Sequence, residues 1–592
     1  LEVIAEMPPT VDPAYRCELE VMAVSALGED ERALQLALKV AARPRVQVAL
    51  GTMAARRGGL ADAEQCFRQA LTQDPGCASA LLSLGMLLWG QGQHRQAWQA
   101  VQQAVSADPL QEAGLSLLSE MAHRLARLPE AAALLGQVVE QFPLYRIPAR
   151  HHAVLLAESG QQAEALAAVE AFLAEFGMDD ELLELGLALR RQQGPRLVTA
   201  AQRKPTVSLC MIVKNEELFL AQCLQSVKAV VDELVLLDTG STDRTVALAT
   251  LFGARVDRFD WSGSFSEARN AVLKQAKGDW ILVMDADERI SPQDHQALLA
   301  TLQQSAGTDA WSVLIRTYSN RVQVQGWTAN DGSYPAEEQA DGWYPASRVR
   351  LFPNHPGICY EGMVHELLEP SLRRLGFTIR TAPFVAHHYA EVTGLPENLR
   401  AKQLRYYELG RQKLVEQPEN LSALFELAVQ AGELELYDDA LLLWDRLLAL
   451  CPGQLDALFN KGHVLMALRR YQEALQVSRR VLDADPDNRE ALFNYGTCEL
   501  YLGDVEKACT LVAARLAKDR GYPLLLALQT MLGLATGRIA EACCCYAELV
   551  AQQYDIQGYL EKRLTTLQDL GRHELVTAIR TAAQTARLLL PL

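Results

Sequence analysis

Three carboxylates end an apolar run near the middle of the chain. Residues 280–284, WILVM, are all large and apolar, and Asp285, Asp287 and Glu288 follow directly. Such a run is typical of a strand buried on both faces. Like charges tolerate this proximity around a hard cation, and Mg²⁺ or Mn²⁺ held by one or two carboxylates completes its shell with substrate phosphates. The stretch therefore indicates a metal and nucleotide-diphosphate site, with a solvated acidic turn as the alternative.

The carboxylates belong to a segment in which strands and helices alternate. Between residues 205 and 395 the strand-like runs are TVSLCMIV, ELVLLD, ARVDRF and WILVMD, and the helical stretches between them are 217–230, 244–252 and 265–277. This alternation predicts a parallel sheet with helices on both faces, in which ligands bind at the carboxyl ends of the strands. Polar residues stand at three such ends, at 214–216, 238–243 and 285–287. The chain has no P-loop or dinucleotide-binding glycine motif after its first strand.

Both flanks repeat with a period of 34 residues. Small residues recur at this spacing, and prolines follow the second helix of each unit. The recurring positions are Gly51, Gly85, Ser119 and Ala153; Ala63, Ala97, Ala131 and Ala165; Pro75, Pro109 and Pro143; and, past residue 400, Ala428, Gly462 and Gly496; Ala440, Ala474 and Ala508; Pro452 and Pro486. This is the signature of tetratricopeptide repeats, whose concave surface commonly holds a polypeptide. A purely architectural role is the alternative.

The composition argues against several partners. The formal charge of −17 argues against nucleic acid, which is bound mainly by basic surfaces. No apolar run reaches the roughly 18 to 20 residues of a membrane span. The 12 cysteines form no Cys-x-x-Cys pair and are typical of reduced thiols. These thiols favour the reducing cytoplasm. The chain begins at Leu1 rather than Met, so the true N-terminus is expected to lie upstream, and no secretory signal is visible in the given residues.

Four segments together resemble the family 2 glycosyltransferases with a GT-A fold. They are SLCMIVKNEELFLAQCLQSV, DELVLLDTGSTDRT, FSEARNAVLKQAKGDWILVMDADE and GMVHE, in this order within residues 205–392. The likeness extends to the bacterial branch that includes sublancin-type peptide S-glycosyltransferases and relatives fused to tetratricopeptide repeats. It implies an α/β GT-A domain with a Rossmann-like mixed sheet at 205–395, between all-α repeat arrays at 1–200 and 396–592. It also implies an inverting enzyme that uses Mn²⁺ or Mg²⁺ and a UDP-sugar donor.

The resemblance assigns roles to the residues at the strand ends. Val213, Asn215 and Glu216 would line the nucleoside pocket, Asp238 would bind uracil or ribose, and Arg269 would contact the base or the phosphates. Asp285 would reach the ribose or a metal-bound water, and Asp287 would bind the metal directly. For Arg269, the alternative is a simple ion pair with an acidic neighbour.

The second half of the site lies downstream. Inversion at the anomeric carbon needs a carboxylate to take the acceptor's proton, and Glu366 is the first candidate, with Glu361 second. His365 would touch the diphosphate or the donor sugar. His388 is the predicted metal ligand and His387 its alternative. Relatives often read His-Tyr-Gly where this chain has His-Tyr-Ala, which puts the local geometry in question.

The acceptor is the least defined part of the reaction. The flanking arrays favour a polypeptide acceptor held in an extended state. The family resemblance implies flagellin or another exported protein as that polypeptide. A polysaccharide or lipid-linked glycan is the alternative acceptor, and a catalytically idle repeat scaffold is the alternative from another class. Residues 330–348, rich in Gly, Pro, acids and aromatics, are predicted to form a loop over the site or a surface excursion.

Overall fold

A computed structural model describes most of the chain. The described residues are 4, 7, 8, 11–40, 42–196, 205–305, 307–322, 324, 326–361, 366–393, 400, 404, 407–412, 414–415, 418–518, 520, 522–551 and 554–588. They fall into two compact units, one of residues 1–195 with 246–254 and one of residues 196–245 with 255–592. The predicted division at 1–200, 205–395 and 396–592 remains a prediction. Within the described residues no helix is long and apolar enough to cross a membrane.

The first unit is an array of antiparallel helix pairs. Its helices are α1 (Pro13–Ala26), α2 (Asp30–Ala37), α3 (Pro44–Arg56), α4 (Leu60–Gln73), α5 (Ala78–Gly90), α6 (His94–Ala107), α7 (Glu112–Leu125), α8 (Leu128–Gln141), α9 (Arg146–Glu158), α10 (Gln162–Phe176) and α11 (Asp180–Gln193). The small recurring residues lie where paired helices cross. A Cβ added at Gly51 would lie 2.6 Å from the Phe67 ring, and one at Gly85 would lie 2.6 Å from Val101. The predicted all-α repeats are confirmed.

The second unit contains the sheet. Its strands are β1 (Val207–Val213), β2 (Glu233–Asp238), β3 (Arg255–Arg258), β4 (Trp280–Val283), β5 (Glu288–Ile290), β6 (Asp309–Ser319), β7 (Thr328–Ala329), β8 (Gly342–Pro353) and β9 (Thr378–His388). The nine described strands run in the order β3-β2-β1-β4-β8-β6-β9-β5, with β7 beside β8. Strands β1 to β4 pair in parallel, as predicted, whereas β8 runs antiparallel to both β4 and β6. The sheet is therefore mixed, and its parallel half carries the polar strand ends.

Short helices lie between and after the strands along the chain. They are α12 (Leu220–Val227), α13 (Thr245–Leu251), α14 (Phe265–Leu273), α15 (His295–Gln304), α16 (Glu369–Arg374) and α17 (Ala390–Thr393). Strands β1, β2 and β4 are almost entirely buried, which explains their near-continuous apolar sequence. Cys210, Val235, Ile281 and Val283 contribute one buried core of the sheet, together with Phe352 of β8.

A second helical array follows the sheet within the same unit. Its helices are α18 (Leu421–Glu433), α19 (Tyr437–Leu450), α20 (Leu455–Ala467), α21 (Tyr471–Ala484), α22 (Arg489–Leu502), α23 (Val505–Leu516), α24 (Pro523–Thr536), α25 (Ile539–Ala551), α26 (Ile556–Asp569) and α27 (His573–Thr585). The array contacts the sheet domain directly. Arg489 Nη2 donates to the Trp327 carbonyl at 2.9 Å, and the Gly326 amide donates to Glu490 at 3.2 Å. The segment before β7 is thus fixed to the array.

Candidate active site

Asp285, the first residue of the acidic stretch, is held by two arginines. Its Oδ1 accepts a hydrogen bond from Arg269 Nη2 at 2.8 Å, and its Oδ2 accepts one from Arg350 Nη2 at 2.8 Å. Burial by itself would raise the pKa of Asp285, but Arg350 and Arg269 hold that pKa well below its usual range. Asp285 is therefore ionised and fixed in place where β4 leaves the core.

Glu288 is a structural member of the same cluster. It is almost completely buried and forms an ion pair with Arg350. Its Oε2 accepts a hydrogen bond from the Asp285 amide at 3.0 Å, which closes the turn after β4. Burial raises the pKa of Glu288, while Arg350 opposes that shift. The Glu288 side chain therefore points into the core and stabilises the turn that follows β4.

Arg269 brings the downstream carboxylate into this cluster. Its Nε donates to Glu366 Oε1 at 2.6 Å, across a sequence separation of 97 residues. The guanidinium lies 5.5 Å from the ring centroid of Tyr360. Its remaining nitrogen, Nη1, is buried and has no hydrogen-bond partner in the described part of the chain. Arg269 thus joins Asp285 and Glu366, and its Nη1 remains available to donate a further hydrogen bond.

The two candidate base residues have different surroundings. Glu366 is largely buried beside Arg269, with 13% of its side chain exposed. Glu361 is 39% exposed and pairs with the surface residue Arg374 at 2.6 Å. Residues 362–365 lie outside the described residues, and so does the predicted role of His365. The geometry favours Glu366 over Glu361 as the residue beside the cluster.

Asp287 and His388 form a second pair next to this cluster. His388 Nε2 lies 3.4 Å from Asp287 Oδ2, and His388 Nδ1 lies 3.3 Å from the Thr317 hydroxyl. The Tyr389 amide donates to the Asp287 carbonyl at 3.1 Å, so the backbone also joins the two segments. Burial by itself would lower the pKa of His388, but Asp287 raises it to about 9. The predicted pair is brought together.

His387 points to other partners. It is fully buried, and its Nδ1 lies 2.9 Å from the Tyr318 hydroxyl. Its ring packs edge-on against Tyr334 at a centroid distance of 4.6 Å. Burial, assisted by Arg316 and Arg289, lowers its pKa to about 3. Because successive side chains of a strand point to opposite faces, His387 cannot share the surroundings of His388.

The stretch predicted as a loop over the site divides in two. Residues 342–353 form strand β8. In the preceding part, Tyr334 packs on His387, and Glu337 accepts a hydrogen bond from the Tyr389 hydroxyl at 2.7 Å. These contacts lie on the His387 face of β9. The prediction of a loop over the whole of 330–348 was therefore wrong for residues 342–348, where the Gly and Pro residues had argued against a strand.

The carboxyl ends of β1 and β2 lie at the same edge of the sheet as the end of β4. Val213, the last residue of β1, is buried and pairs in register with Asp238. Asn215 has a left-handed backbone with φ of 55°, and its side-chain oxygen accepts the Thr242 amide at 2.8 Å. Such a conformation is uncommon for a residue other than glycine and is frequent at binding sites. The two strand ends are therefore fastened to each other.

Asp238 and Glu216 also take part in this edge. Asp238 is buried, and its carboxylate accepts the amides of Gly240 and Ser241 at 3.2 Å and 3.0 Å. The Glu216 amide donates to the Thr245 hydroxyl at 2.7 Å. The nucleoside-binding roles predicted for these residues remain predictions, because the observed hydrogen bonds also serve the turns themselves.

The described residues supply few metal ligands by themselves. No group of three or more His, Cys, Asp or Glu side chains in that part of the chain is arranged to hold a metal ion. Asp287 provides a carboxylate, which suits Mn²⁺ or Mg²⁺, and His388 provides an imidazole, which suits transition metals. Waters or phosphate oxygens would complete the shell. Both carboxylate oxygens of Asp285 accept hydrogen bonds from arginines. Its role as a metal ligand therefore stays a prediction.

Sequence reasoning missed Arg350. It lies on β8, 65 residues from Asp285, and it is largely buried. Arg350 is one of four consecutive buried residues, 349–352, near the end of β8. The available signal was an arginine within the otherwise apolar run VRLF, because buried charges are almost always paired.

The comparisons with known proteins agree with this architecture. Residues 208–361 match the model of Glycosyl transferase family 2. Tetratricopeptide repeat models match 48–112, 82–146 and 425–488, and a further one matches 465–532. The chain thus carries a family 2 glycosyltransferase domain with tetratricopeptide repeats on both sides.

Three relatives illustrate the likeness. A TPR repeat-containing protein of Synechococcus elongatus is 37% identical over 39% of this chain and 54% of its own length. The SPbeta prophage-derived glycosyltransferase SunS of Bacillus subtilis is 26% identical over 37% of this chain and 48% of its own. A glycosyltransferase of Rickettsia felis is 39% identical over 15% and 30%. The chain therefore spans about half the length, or less, of these relatives.

Proposed function

We propose that the chain is an inverting, metal-dependent glycosyltransferase that moves a sugar from a UDP-linked donor onto a polypeptide held by its repeats. The observation that carries this proposal is the bridge that Arg269 makes between Asp285 and Glu366 at the end of β4. Relatives named glycosyltransferases support the reaction class. The repeats support a polypeptide acceptor. Flagellin or another exported protein is the acceptor that the family resemblance implies.

Asp287 and His388 are the residues that would hold the metal. The two side chains lie 3.4 Å apart, and carboxylate and imidazole suit a divalent cation. A bound Mn²⁺ or Mg²⁺ would neutralise the charge left on the diphosphate when the sugar departs. Asp285, fixed by its two arginines, would bind the ribose or a water of the metal's shell.

Arg269 would bind the donor through its remaining nitrogen. Nη1 is buried and lacks a partner among the described residues, whereas Nε and Nη2 are already used. A buried guanidinium donor gains most from a charged acceptor such as a phosphate oxygen. The guanidinium of Arg269 would thus orient the diphosphate and the nucleobase of the donor.

Glu366 is the proposed general base. The bond between the anomeric carbon and the diphosphate oxygen breaks, and its electron pair leaves with the nucleotide. A bond from the acceptor atom to the opposite face of that carbon forms, and the acceptor's proton passes to Glu366. Of the two candidate bases, Glu366 and Glu361, Glu366 is the one that Arg269 connects to Asp285.

The location belongs to the proposal as well. Each of the 12 cysteines is free, including buried Cys210 and Cys223, which is typical of proteins in a reducing compartment. The relatives named above come from bacteria. A bacterial cytoplasmic enzyme that modifies a polypeptide before its export accounts for both observations.

The test is nucleotide release from a panel of UDP-sugars with Mn²⁺ or Mg²⁺ and no acceptor. We expect slow hydrolysis of one donor by the natural chain and its loss in Asp287→Ala. Asp260→Ala is the matched control, since Asp260 is 96% exposed and removes the same charge from the same domain. Equal hydrolysis by the natural chain and by Asp287→Ala would contradict the metal assignment.

Calorimetry with UDP and metal separates the remaining outcomes. Binding without turnover would mean that chemistry awaits the acceptor, and the polypeptide and glycan acceptors can then be compared. Absence of both binding and turnover would refute the enzyme and favour the repeat scaffold.

A further inference from the structure

The side chain that follows Arg269 holds the backbone that leads to the candidate base. Oδ1 of Asn270, on α14, accepts a hydrogen bond from the Tyr360 amide at 2.7 Å. Nδ2 of the same side chain donates to the Tyr360 carbonyl at 2.9 Å. One carboxamide therefore bonds both backbone groups of one residue, as a neighbouring strand would. Asn270 has no part in the reaction steps proposed above.

The segment that follows Tyr360 turns back on itself. The Glu361 amide donates to the Leu367 carbonyl at 3.0 Å, and the Leu367 amide donates to the Glu361 carbonyl at 3.0 Å. These two residues thus form a hydrogen-bonded antiparallel pair. Backbone groups of successive residues point to alternate sides of an extended segment, so those of Tyr360 point away from Leu367 and toward Asn270.

This pairing determines which side chains face Arg269. Successive side chains of an extended segment point to opposite faces, so Glu366 lies on the face opposite to Leu367 and Glu361. The Arg269 guanidinium lies 5.5 Å from the Tyr360 ring centroid and donates to Glu366 at 2.6 Å. Glu361 instead pairs with Arg374. A slip of the pairing by one residue would turn Glu366 away from Arg269.

A second contact joins the two arms of this segment. Oγ of Ser371, which is fully buried on α16, accepts a hydrogen bond from the Cys359 amide at 3.1 Å and donates to the Leu368 carbonyl at 2.9 Å. This contact does not involve Asn270. We therefore expect the segment to stay folded when Asn270 is substituted, with only the pairing of its arms loosened.

We propose that Asn270 is a positioning residue for the general base: it fixes the pairing of Glu361 with Leu367 and so keeps the Glu366 carboxylate beside Arg269. The proposal rests on the function proposed above, because Asn270 acts on the reaction through Glu366. Both polar atoms of Asn270 bond to the Tyr360 backbone, so the effect reaches Glu366 along the main chain.

The test is a double-mutant cycle on the hydrolysis of the UDP-sugar donor by the full chain. Asn270→Ala should lower kcat at least ~10-fold and leave the donor KM within about threefold, because the displaced carboxylate acts in the chemical step. In a chain that already carries Glu366→Gln, Asn270→Ala should lower kcat by less than about twofold, since the residue through which it acts is already lost. An equal loss of kcat in both backgrounds would make the role of Asn270 merely structural and overturn the proposal.

Asn354→Ala is the matched control. Asn354 is exposed, and its Nδ2 also joins distant backbone, because it donates to the carbonyls of Ala276 and Gly278 at 3.0 Å and 2.9 Å. These two residues precede β4, whereas Asp285 follows it. Asn354→Ala should leave kcat within about twofold of its parent, with or without Glu366→Gln.

A conservative variant provides a second form of the test. Asn270→Asp retains an acceptor for the Tyr360 amide but places a carboxylate oxygen against the Tyr360 carbonyl. It should also lower kcat in the natural background alone, because the bond to that carbonyl is lost. It replaces Asn270→Ala if that variant shows no cooperative thermal unfolding.

Amide exchange separates this proposal from the enzyme. Asn270→Ala should accelerate the exchange of residues 359–361 at least ~5-fold, measured by mass spectrometry, whether or not the donor is hydrolysed. Accelerated exchange in a chain whose natural form hydrolyses no donor would retain the hold of Asn270 on this segment while the proposed enzyme fails. Unchanged exchange with unchanged kcat would overturn the positioning role while the enzyme stands.

Discussion

Arg350 is the residue on which the turn after β4 depends. It pairs with the nearly inaccessible Glu288 and with Asp285 at once, so its removal leaves a buried carboxylate uncompensated. Removing one partner of a buried ion pair costs about 3–5 kcal/mol. We expect Arg350→Met to lower the free energy of unfolding by about this amount, measured by urea denaturation.

The control for this prediction is Arg258→Met, which removes an arginine whose side chain is 80% exposed. It should change the free energy of unfolding by less than about 0.5 kcal/mol. The double variant Arg350→Met with Glu288→Gln should recover part of the loss, because the buried charge disappears. A cost below about 1 kcal/mol for Arg350→Met would contradict the buried role of this pair.

Glu366 and Glu361 provide a matched pair of substitutions five residues apart. If Glu366 takes the acceptor's proton, Glu366→Gln should lower the rate of donor hydrolysis by about 10²- to 10⁴-fold. Glu361→Gln breaks only a surface pair with Arg374 and should leave the rate within about twofold. Steady-state rates at saturating donor measure both. The reverse order of effects would move the base to Glu361.

At the scale of elements, the site depends on how closely β4 approaches β1. A Cβ added at Gly278, just before β4, would lie 2.7 Å from the Ser208 amide nitrogen and 3.0 Å from the Val207 carbonyl carbon. These are backbone atoms of a central strand and cannot move aside. Gly278→Ala should therefore lower the free energy of unfolding by about 1–3 kcal/mol, as overpacking does.

Gly432→Ala is the control for this substitution. Gly432 lies in α18, and a Cβ added there meets nothing within 4 Å. Alanine in a helix is more favourable than glycine by up to about 1 kcal/mol, so this variant should be neutral or slightly stabilised. Urea midpoints of the two variants give the comparison. A Gly278→Ala variant as stable as Gly432→Ala would refute the close approach of the strands.

At the scale of the second unit, the repeat array and the sheet are joined by Arg489. Its bond to the Trp327 carbonyl links α22 to the segment that leads into β7. Losing a hydrogen bond from a charged donor costs about 1–3 kcal/mol. We expect Arg489→Met to accelerate amide exchange of residues 326–329 at least ~5-fold, measured by mass spectrometry. Arg480→Met should leave that exchange unchanged.

How far the sequence predicts this protein differs between its parts. The 34-residue period determines the arrays, because each helix pair packs on its sequence neighbours and small residues recur at each crossing. Residues such as Asp285 and Asp287 could be assigned to a strand end because the apolar run before them is continuous. The pairing of Glu366 with Arg269 could not be predicted from the sequence, since 97 residues separate the two.

The repeat arrays, the strands that carry the acidic edge and the resemblance to a transferase family could all be predicted from the amino-acid sequence. The folded chain was needed to show which of two glutamates lies beside Arg269 and which of two histidines faces Asp287. It was also needed to show that Arg350 pairs with both Asp285 and Glu288. The physical reason is that periodicity reports contacts within an element or between neighbouring elements. Ion pairs between distant strands depend on sheet order and strand direction, and no local pattern contains either.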